Sequence, residues 1–426
     1  DEDGFVRALA LDGFNLQGTI PPEISLLSSL ENLVIKNNPR LIGSIPHSVG
    51  SQLTQLRQLG LYSNHLTGTV PKNVLRLQHM VYLNLSGNAL RGTINWEEIA
   101  QHQKKLRRLI LHNNYLEGSV DFPTLAGSLS GISLLSLSNN QFSGNVNDAV
   151  GGLSSLEYLY LDGNELVGSI PDGVSKLSNL RALNLDDNAL YGTLPHTIGN
   201  MTGLEYFSAK GNTISGGLPA SMKSLTSLTT LNLASNIMSG RLNHLVHMPN
   251  LKNVHLHSNA FSGKIDGRIF TALSNLEVLF LSSNSLTGGI PPEVAGAQRQ
   301  LKGLYLSDNN LGGGMPKEVC ALYKLEDLFL DTNGFIGALP LCLGSMSSLK
   351  RLYVFKNNFH GHVPVGLMNL PHLDGLGIEE NEFQGGLDQT CAPLQRKSMS
   401  IWADCGELEG GCDCCERCCS GQMNKC

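Results

Sequence analysis

The sequence predicts an α/β repeat solenoid, a right-handed superhelix of about sixteen coils of 24 residues with a parallel β-sheet on its concave face. Three observations support this fold class. One leucine pattern recurs along nearly the whole chain, an asparagine follows the pattern in almost every copy, and glycine and proline supply 47 and 17 of the 426 residues. Turn residues at regular spacing indicate many short elements of one kind.

The repeating unit is clearest in the middle of the chain. One copy contains Leu156, Leu159, Leu161, Asn164 and Leu166, and the same residue types recur 24 positions later. In Leu-x-x-Leu-x-Leu the apolar residues alternate with a period of two, which predicts a short strand with one buried face. Because one coil alone cannot bury its leucines, the stacked coils are expected to share a continuous core.

An asparagine follows each strand, where peptide groups lose their partners in the sheet. Its side-chain amide donates and accepts hydrogen bonds, so we expect it to turn inward and to satisfy buried backbone groups of successive coils. In the first copy Phe14 takes this place. The other positions are Asn38, Asn64, Asn88, Asn114, Asn140, Asn164, Asn188, Asn212, Asn236, Asn259, Asn284, Asn309, Asn333, Asn357 and Asn381.

Glycine and proline shape the rest of each coil. Gly168 and its equivalents permit the bend after the second apolar segment, and Pro171 and its equivalents fix φ in the segment that follows. Six coils carry another residue at the proline position, and we expect them to be less regular on the outer side. These residues are Asn95, Asp121, Asn147, Asn243, Asp266 and Asp388.

The Leu-x-Gly-x-Ile-Pro segment, as in Leu166 to Pro171, resembles the plant-specific class of leucine-rich repeats in receptor kinase ectodomains and secreted inhibitor proteins. The resemblance implies a leucine-rich repeat solenoid over residues 1–388 and a cysteine-rich C-terminal cap over residues 389–426. Gly4 to Leu9 resembles the junction after the cysteine-paired N-terminal cap of such ectodomains, although no cysteine precedes it. We therefore expect the N-terminal cap to be truncated or minimal.

The cysteines are confined to the C-terminal part of the chain. They are Cys320, Cys342, Cys391, Cys405, Cys412, Cys414, Cys415, Cys418, Cys419 and Cys426. Their even number and their position favour disulfides over a zinc site, for which Cys415-x-x-Cys418 has the spacing. Cys320 and Cys342 lie nearly one repeat apart and are predicted to bridge adjacent coils, whereas the pairing of the others stays open. This tail, with residues 328–333 and 376–381, also resembles the plant-type repeat proteins of diatoms and related algae.

The sequence contains no motif typical of an enzyme, such as a nucleophile elbow, a zinc-protease motif or a phosphate-binding loop. The nearest candidate is the pair His255 and His257, which alternate on one strand. The neighbouring strands offer no third ligand, so a solvated histidine pair is favoured over a metal site. We therefore predict a protein that is not an enzyme and that holds no metal and no cofactor.

The charge balance and the hydropathy limit the partners. The chain carries 30 basic and 36 acidic residues, a net charge of −6, which gives no basic surface for nucleic acid. No apolar run reaches the ~18 residues that span a bilayer, so a membrane would be met only through segments outside this chain. Cysteine usage typical of an oxidising compartment predicts a secreted or cell-surface protein.

The residue between the last two leucines of each strand is expected to face solvent on the concave side. In five successive coils it is a ring: His255, Phe280, Tyr305, Phe329 and Tyr353. Neighbouring strands lie ~4.8 Å apart, which predicts a ladder of rings roughly 20 Å long. The rings could simply pack for stability, but an apolar strip on a solvated face favours a contact site.

Flanking residues are predicted to complete this ligand-binding surface: Asp308, Asp327, Asp331, Arg351 and Phe355. Rings with carboxylates at their edge suit a peptide with basic residues, or a sugar chain stacked on the rings. A secondary patch is predicted from Tyr158, Tyr160, Asp162, Asp186, Asp187 and Tyr206. The sequons Asn84-Leu-Ser86 and Asn200-Met-Thr202 predict glycosylation. Asn84 is expected to point out of the concave sheet and Asn200 to lie on a loop.

The resemblance implies an extracellular recognition module that binds a peptide, protein or glycan ligand on its concave face. It would act as the ectodomain of a cell-surface receptor or adhesion protein, with a co-receptor or a second copy of itself as a further partner. Two alternatives stay open. The chain could be a secreted inhibitor of a cell-wall-degrading enzyme, or a structural protein of the cell wall or extracellular matrix.

Overall fold

The computed structural model describes residues 4–297, 300–384, 400–404 and 417–419. The chain forms two compact units, Asp1–Ile214 and Ser215–Cys426. Both units are built from one kind of coil, in which a short strand, a second strand and a short helical turn follow one another. The strands at the first position form what we call the first sheet, and those at the second position form the second sheet. The predicted α/β repeat solenoid is confirmed.

The described part of the first unit contains nine strands of the first sheet, paired in parallel from coil to coil, as Leu159 pairs with Leu183. These strands are Ala8–Asp12, Asn32–Lys36, Gln58–Gly60, Tyr82–Asn84, Arg108–Ile110, Leu134–Ser136, Tyr158–Tyr160, Ala182–Asn184 and Tyr206–Ser208. Its second-sheet strands are Gln17–Thr19, Asn38–Ser44, Asn64–Gly68, Ala89–Thr93, Tyr115–Ser119, Gln141–Asn145, Glu165–Gly168 and Ala189–Thr193. The strand Thr213–Gly216 contains the boundary between the units.

The helical turns of the first unit are of two kinds. The α-helical turns are His47–Gln52, Lys72–Leu75, Trp96–His102 and Phe122–Ala126. The 3-10 turns are Pro22–Leu26, Asp148–Gly152, Asp172–Lys176 and Ile198–Asn200. All of them lie between a second-sheet strand and the next first-sheet strand, so each closes one coil.

The second unit repeats the arrangement. Its first-sheet strands are Thr230–Asn232, Asn253–His255, Val278–Phe280, Gly303–Tyr305, Asp327–Phe329, Arg351–Tyr353, Gly375–Gly377, Ser400–Asp404 and Arg417–Cys419. Its second-sheet strands are Ile237–Gly240, Ala260–Lys264, Ser285–Gly288, Asn310–Gly314, Gly334–Gly337, Asn358–Gly361 and Glu382–Phe383. Its helical turns are Ala220–Ser224, Leu245–His247, Arg268–Ala272, Pro292–Ala297, Lys317–Ala321, Leu341–Ser345 and Val365–Asn369, of which Arg268–Ala272 is α-helical.

The repeated leucines form the core of each unit. Leu159 and Leu183 in the first unit, and Leu279, Leu304 and Leu328 in the second, have no solvent exposure. The residues between them face the opposite side of the sheet and are half-buried or exposed in most coils. The alternation of period two that predicted the strands is therefore confirmed.

The asparagines turn inward as predicted. Asn164 is representative: its Nδ2 donates to the carbonyl oxygens of Leu137, Leu161 and Asp162 at 3.0–3.1 Å. Its Oδ1 accepts from the backbone N–H of Phe142 at 3.0 Å. One side chain thus satisfies backbone groups of its own coil and of the preceding coil, where the strands end.

The turns follow from glycine and from short polar side chains. Gly168 has φ +89°, a conformation that side-chain-bearing residues rarely adopt. In two of the coils without this proline, the replacing residue caps the following turn: Asn95 accepts from the N–H of Glu98 and Asp121 from that of Thr124, each at 3.1 Å. The expected irregularity of these two coils is therefore an ordered α-helical turn.

The disulfide between Cys320 and Cys342 is confirmed, with Cα atoms 5.9 Å apart. It joins the turns Lys317–Ala321 and Leu341–Ser345 of neighbouring coils. Two strands in the predicted cap, Ser400–Asp404 and Arg417–Cys419, extend the first sheet of the second unit, and the latter strand contains Cys418 and Cys419. The other predicted disulfide cysteines lie outside the described residues: Cys391, Cys405, Cys412, Cys414, Cys415 and Cys426. The boundary at residue 388 stays a prediction.

Within the part of the chain that the structure describes, no helix has the length and apolar character needed to cross a membrane.

Candidate ligand-binding surfaces

The five predicted rings occupy one row on the first sheet of the second unit. Parallel register places His255 beside Phe280, Phe280 beside Tyr305, Tyr305 beside Phe329 and Phe329 beside Tyr353. All five side chains are half-buried, while the leucines that flank them in sequence are buried. The predicted row is confirmed, and its role in binding stays a prediction.

The rings contact one another along the whole row. The centroid distances are 6.1 Å from His255 to Phe280, 4.8 Å from Phe280 to Tyr305, 5.0 Å from Tyr305 to Phe329 and 4.5 Å from Phe329 to Tyr353. The planes of Tyr305 and Phe329 are perpendicular, at 90°, those of His255 and Phe280 meet edge to face at 61°, and the other two pairs are tilted. These are the offset and edge-to-face geometries that aromatic pairs prefer.

Trp402 adds a sixth ring that the sequence reasoning missed. The strand Ser400–Asp404 pairs with Gly375–Gly377, and Trp402 lies in register with Gly377. Its indole stacks on Tyr353 at 5.6 Å with an interplanar angle of 14°. The alternation of Ile401 and Ala403, both buried, was the signal that could have identified this strand. We call the row from His255 to Trp402 the aromatic ladder.

Glycines make room for the rings. A methyl group at Gly303 would overlap the ring of Tyr305, and one at Gly375 would lie 2.9 Å from the Tyr353 hydroxyl. A methyl group at Gly377 would lie 3.0 Å from Phe355 and 3.2 Å from Tyr353. Because Gly377 has no side chain, the rings on either side of it can meet across its strand.

A hydrogen-bonded chain fixes the polar edge of the ladder. The Tyr305 hydroxyl donates to Asp327 at 2.6 Å, and the Arg351 guanidinium donates to both oxygens of the same carboxylate at 2.6 and 2.7 Å. Burial and the Asp327 hydrogen bond raise the pKa of the Tyr305 hydroxyl. Arg351 also lies 5.4 Å from the Phe329 ring centre. Asp327 is therefore neutralised within the protein, and it does not offer the free carboxylate edge that the sequence suggested.

The other predicted flanking residues differ in their availability. Asp331 accepts from the Ser307 hydroxyl at 2.6 Å. Burial raises the pKa of its carboxyl, and this hydrogen bond opposes the rise. Asp308 is exposed at a turn with φ +55°, and Phe355 is half-buried, 6.2 Å from Tyr353. The carboxylate open to a ligand is thus that of Asp308.

The histidine pair is less exposed to solvent than the sequence suggested. Both side chains are half-buried, and His257 stacks on Phe280 at 3.9 Å. Burial lowers the pKa of His255, which favours its neutral form. The pair therefore extends the aromatic surface. Among the described residues, no cluster of three or more His, Cys, Asp or Glu side chains could hold a metal ion.

The secondary patch lies on the first sheet of the first unit. Tyr158 and Tyr160 are 6.3 Å apart, and burial raises the pKa values of Tyr160 and Tyr206. Asp162 accepts from Ser138 at 2.6 Å.

Asp186 of the same patch accepts from the Ser208 hydroxyl and from the Lys210 N–H. Burial raises the pKa of Asp186, which those two hydrogen bonds oppose. Asp187 lies at a turn with φ +49°. The patch stays a predicted site, with two of its carboxylates engaged in the protein.

The two sequons differ in exposure. Asn84 was expected to point out of the sheet, but its side chain is 7% exposed. Its Nδ2, the atom a glycan would occupy, donates to the Tyr82 hydroxyl at 2.9 Å, and its Oδ1 accepts from Ser86. Asn200 is exposed at the end of the turn Ile198–Asn200. Glycosylation stays a prediction at both sites, and the geometry favours Asn200.

Two repeat families match the sequence. A leucine-rich repeat region matches residues 117–280, and the single leucine-rich repeat matches residues 300–322 and the overlapping 275–297. Receptor-like protein 9DC1 of Solanum pimpinellifolium is 44% identical over 80 residues, which cover 18% of this chain and 9% of that protein. Receptor-like protein 6 of Arabidopsis thaliana is 32% identical over 80 residues and is covered to 8%. The chain thus matches less than a tenth of the length of these relatives.

Solved structures resemble nearly the whole chain. A TDR receptor matches with a TM-score of 0.87 at 29% identity, covering 93% of this chain and 67% of that one. The plant peptide hormone receptor RGFR1, in complex with RGF2, matches with a TM-score of 0.82 at 26% identity, covering 94% and 66%. An LRR protein of Leptospira interrogans matches with a TM-score of 0.74 at 29% identity, covering 93% and 95%. The fold is a leucine-rich repeat solenoid, similar to those of plant receptor ectodomains.

Proposed function

We propose that this chain is the recognition part of an extracellular receptor and that it binds a peptide or protein ligand across the aromatic ladder. The observation that carries the proposal is the unbroken contact of six rings on a sheet face that has no core to fill. The similarity to a plant peptide hormone receptor in complex with RGF2 supports the same class of ligand.

The size of the ladder suits a short extended segment. From His255 to Trp402 the rings span six strand-to-strand intervals of ~4.8 Å, or roughly 29 Å. An extended peptide rises ~3.4 Å per residue, so about eight or nine residues would cover it. Contacts with apolar side chains would exclude water from the ring edges.

The ring geometry favours a peptide over a sugar chain. Stacking of a sugar requires an open ring face, whereas these rings lie in tilted or edge-to-face contact with one another at 4.5 to 5.0 Å, which covers part of their faces. Asp308 supplies an exposed carboxylate for a basic residue of the ligand, which is a weaker acidic edge than the sequence predicted.

The wider setting follows from the same resemblance. We infer a secreted or cell-surface location, a role in binding without catalysis, and a co-receptor or a second copy as a further partner. The narrower resemblance of the cysteine-rich tail to repeat proteins of diatoms and related algae is part of this proposal, as are the domain limits 1–388 and 389–426.

The test uses decapeptides selected for binding to the wild-type chain from a displayed random library. In Phe329→Ala and Tyr353→Ala we expect the affinity for these peptides to fall by ~2 kcal/mol or more, because buried aromatic anchors dominate such interfaces. Stability should fall by only ~0.5 to 1.5 kcal/mol, the contribution of ring contacts.

The matched control is Ser136→Ala, at the equivalent position of a coil in the first unit, which should leave the affinity unchanged. Isothermal titration calorimetry measures the binding and urea denaturation measures the stability. Equal affinity of wild type and both ring variants for every selected peptide would show that the ladder serves packing and that binding occurs elsewhere.

A further inference from the structure

A groove in the first unit lies beside the starts of the first-sheet strands. Its volume is about 850 Å³, and aromatic and charged side chains line it, among them Tyr62, Tyr82, Arg107, Arg108 and Glu157. We call it the basic groove. It belongs to a different unit from the aromatic ladder and shares no residue with it.

A charged residue stands just before several first-sheet strands. Outside the basic groove, such residues of the first unit form ion pairs with the residue at the same position of a neighbouring coil. Glu31 bridges Arg7 and Arg57 at 3.1 Å each, and Arg181 pairs with Glu205 at 3.1 Å. Successive coils bring these positions close together, so charges of alternating sign neutralise one another along the edge of the sheet.

The basic groove interrupts this alternation. Arg107, Ser133 and Glu157 hold the same position in three successive coils, joined by backbone hydrogen bonds of 2.8 and 2.9 Å. The uncharged Ser133 separates the two charges by two strand intervals, or ~10 Å. Among the described residues, the side chains of Arg107, Arg108 and Glu157 form no ion pair. Two cations and one carboxylate therefore line one groove without an ion-pair partner among the described residues.

The walls of the groove hold these groups in place. The Arg107 guanidinium lies against Gly131, where even a methyl group would overlap it. On the other wall, the Tyr82 hydroxyl accepts a hydrogen bond from Asn84 at 2.9 Å. A guanidinium offers two parallel N–H groups to a carboxylate, so the pair Arg107 and Arg108 is suited to an acidic side chain.

We propose that the basic groove is a second recognition site, which binds a peptide segment with an acidic and a basic side chain about three residues apart. Three residues of a polyproline II segment rise ~9.3 Å and return the side chain to the same face, which matches the separation of Arg107 from Glu157. The acidic side chain of the ligand would meet the arginines and the basic one Glu157. A uniformly anionic polymer, such as an acidic polysaccharide, would be repelled by Glu157.

The test selects decapeptides on the full chain carrying Phe329→Ala and Tyr353→Ala, so that peptides bound by the aromatic ladder are removed. We expect enrichment of sequences with an acidic and a basic residue three positions apart. Adding Arg107→Gln and Arg108→Gln should lower the affinity of these peptides at least about tenfold, the scale of one charge-assisted hydrogen bond. Adding Glu157→Gln should remove the preference for the basic residue.

Two further variants separate position from charge. Gly131→Ala keeps every charge but displaces the Arg107 guanidinium, and it should also weaken the acidic preference. Lys252→Gln removes a cation at the equivalent position of a coil in the second unit and should change nothing. Absence of the acid–base pattern, or its persistence without the two arginines, would overturn the proposal. A second result would also overturn it: tetragalacturonate that binds only when both arginines are present and that binds more tightly to Glu157→Gln. Such binding would indicate an acidic glycan as the ligand. None of these outcomes depends on the role of the ladder.

Discussion

Glu98 shows how one carboxylate can hold two coils of the first unit together. It lies on the helix Trp96–His102 and is 7% exposed. Lys72 and Arg76 of the preceding coil approach its oxygens at 2.7 Å each, and His102 lies at 3.3 Å. The hydrogen bonds from Arg76 and then Lys72 lower the pKa of Glu98 from 4.5 to about 2.

This shift predicts a loss of stability in acid. Because the folded-state pKa is below the unfolded one, the contribution is complete above pH 4.5 and is lost as the pH falls toward about 2. We expect the melting temperature of the wild type to fall more steeply over this range than that of Glu98→Gln. Calorimetric melting at half-unit pH steps measures it, with the exposed neighbour variant Glu97→Gln as control. Parallel curves for the wild type and Glu98→Gln would refute the assignment.

At the scale of elements, the disulfide joins two short 3-10 turns of neighbouring coils covalently. Cys320 and Cys342 close a loop of 22 residues. Leu341, beside one of them, is 83% exposed, whereas Val319 and Leu343 of the same two turns are buried. The disulfide therefore adds a covalent link to the limited packing of these turns.

Removal of the disulfide should loosen these turns first. In Cys320→Ser with Cys342→Ser we expect a loss of about 3 kcal/mol, the scale for a loop of this length. Amide hydrogen exchange should become faster in Lys317–Ala321 and Leu341–Ser345, because the disulfide no longer restrains the local opening of these two turns. The turn Asp172–Lys176 of the first unit serves as the reference. Unchanged exchange in both cysteine turns would mean that the disulfide does not limit their opening.

At the scale of the whole molecule, stability depends on neighbouring coils that fill each other's interior. Leu185 is 2% exposed, and its backbone joins its own coil to the following one. Its N–H donates to the Ser208 carbonyl oxygen of the next coil at 2.8 Å, and its carbonyl accepts from Asn188 of its own coil and from Asn212 of the next. Damage at such a position is therefore not confined to one coil.

The variant Leu185→Asp should lose about 3 kcal/mol or more, because it buries an unpaired charge in this core. Urea denaturation measures the loss, and Tyr191→Asp, at a position of the same coil that is 57% exposed, should have little effect. A Leu185→Asp chain as stable as the wild type would contradict the assignment of buried and outward positions in the coil.

The parts of the fold that depend on spacing were predictable from the sequence. The strands, the inward asparagines, the Cys320–Cys342 disulfide and the row of rings all follow from the position of a residue within a 24-residue period. Trp402 was not predicted, because the strand Ser400–Asp404 has no asparagine after it and only two inward apolar residues.

Contacts between individual side chains were also not predictable. Two examples are the ion pair of Arg351 with Asp327 and the hydrogen bond that holds the buried Asn84 against Tyr82. Both depend on side-chain rotamers that the repeat pattern does not specify. Sequence position alone located the candidate site, and side-chain packing determined which of its charges are open to a ligand.

The position of Trp402 gives the chain an intrinsic optical reporter. The sequence holds only two tryptophans, and the other, Trp96, is 6% exposed on a helix of the first unit with its indole N–H bonded to a carbonyl. In a Trp96→Phe background all indole emission would therefore arise from the end of the aromatic ladder, next to Tyr353 and half open to water. A molecule that covers the ladder would displace that water and shift the emission to shorter wavelength, whereas one held in the first unit alone would leave the spectrum unchanged. Fluorescence titration of the unlabelled protein can thus assign a newly found ligand to one unit or the other.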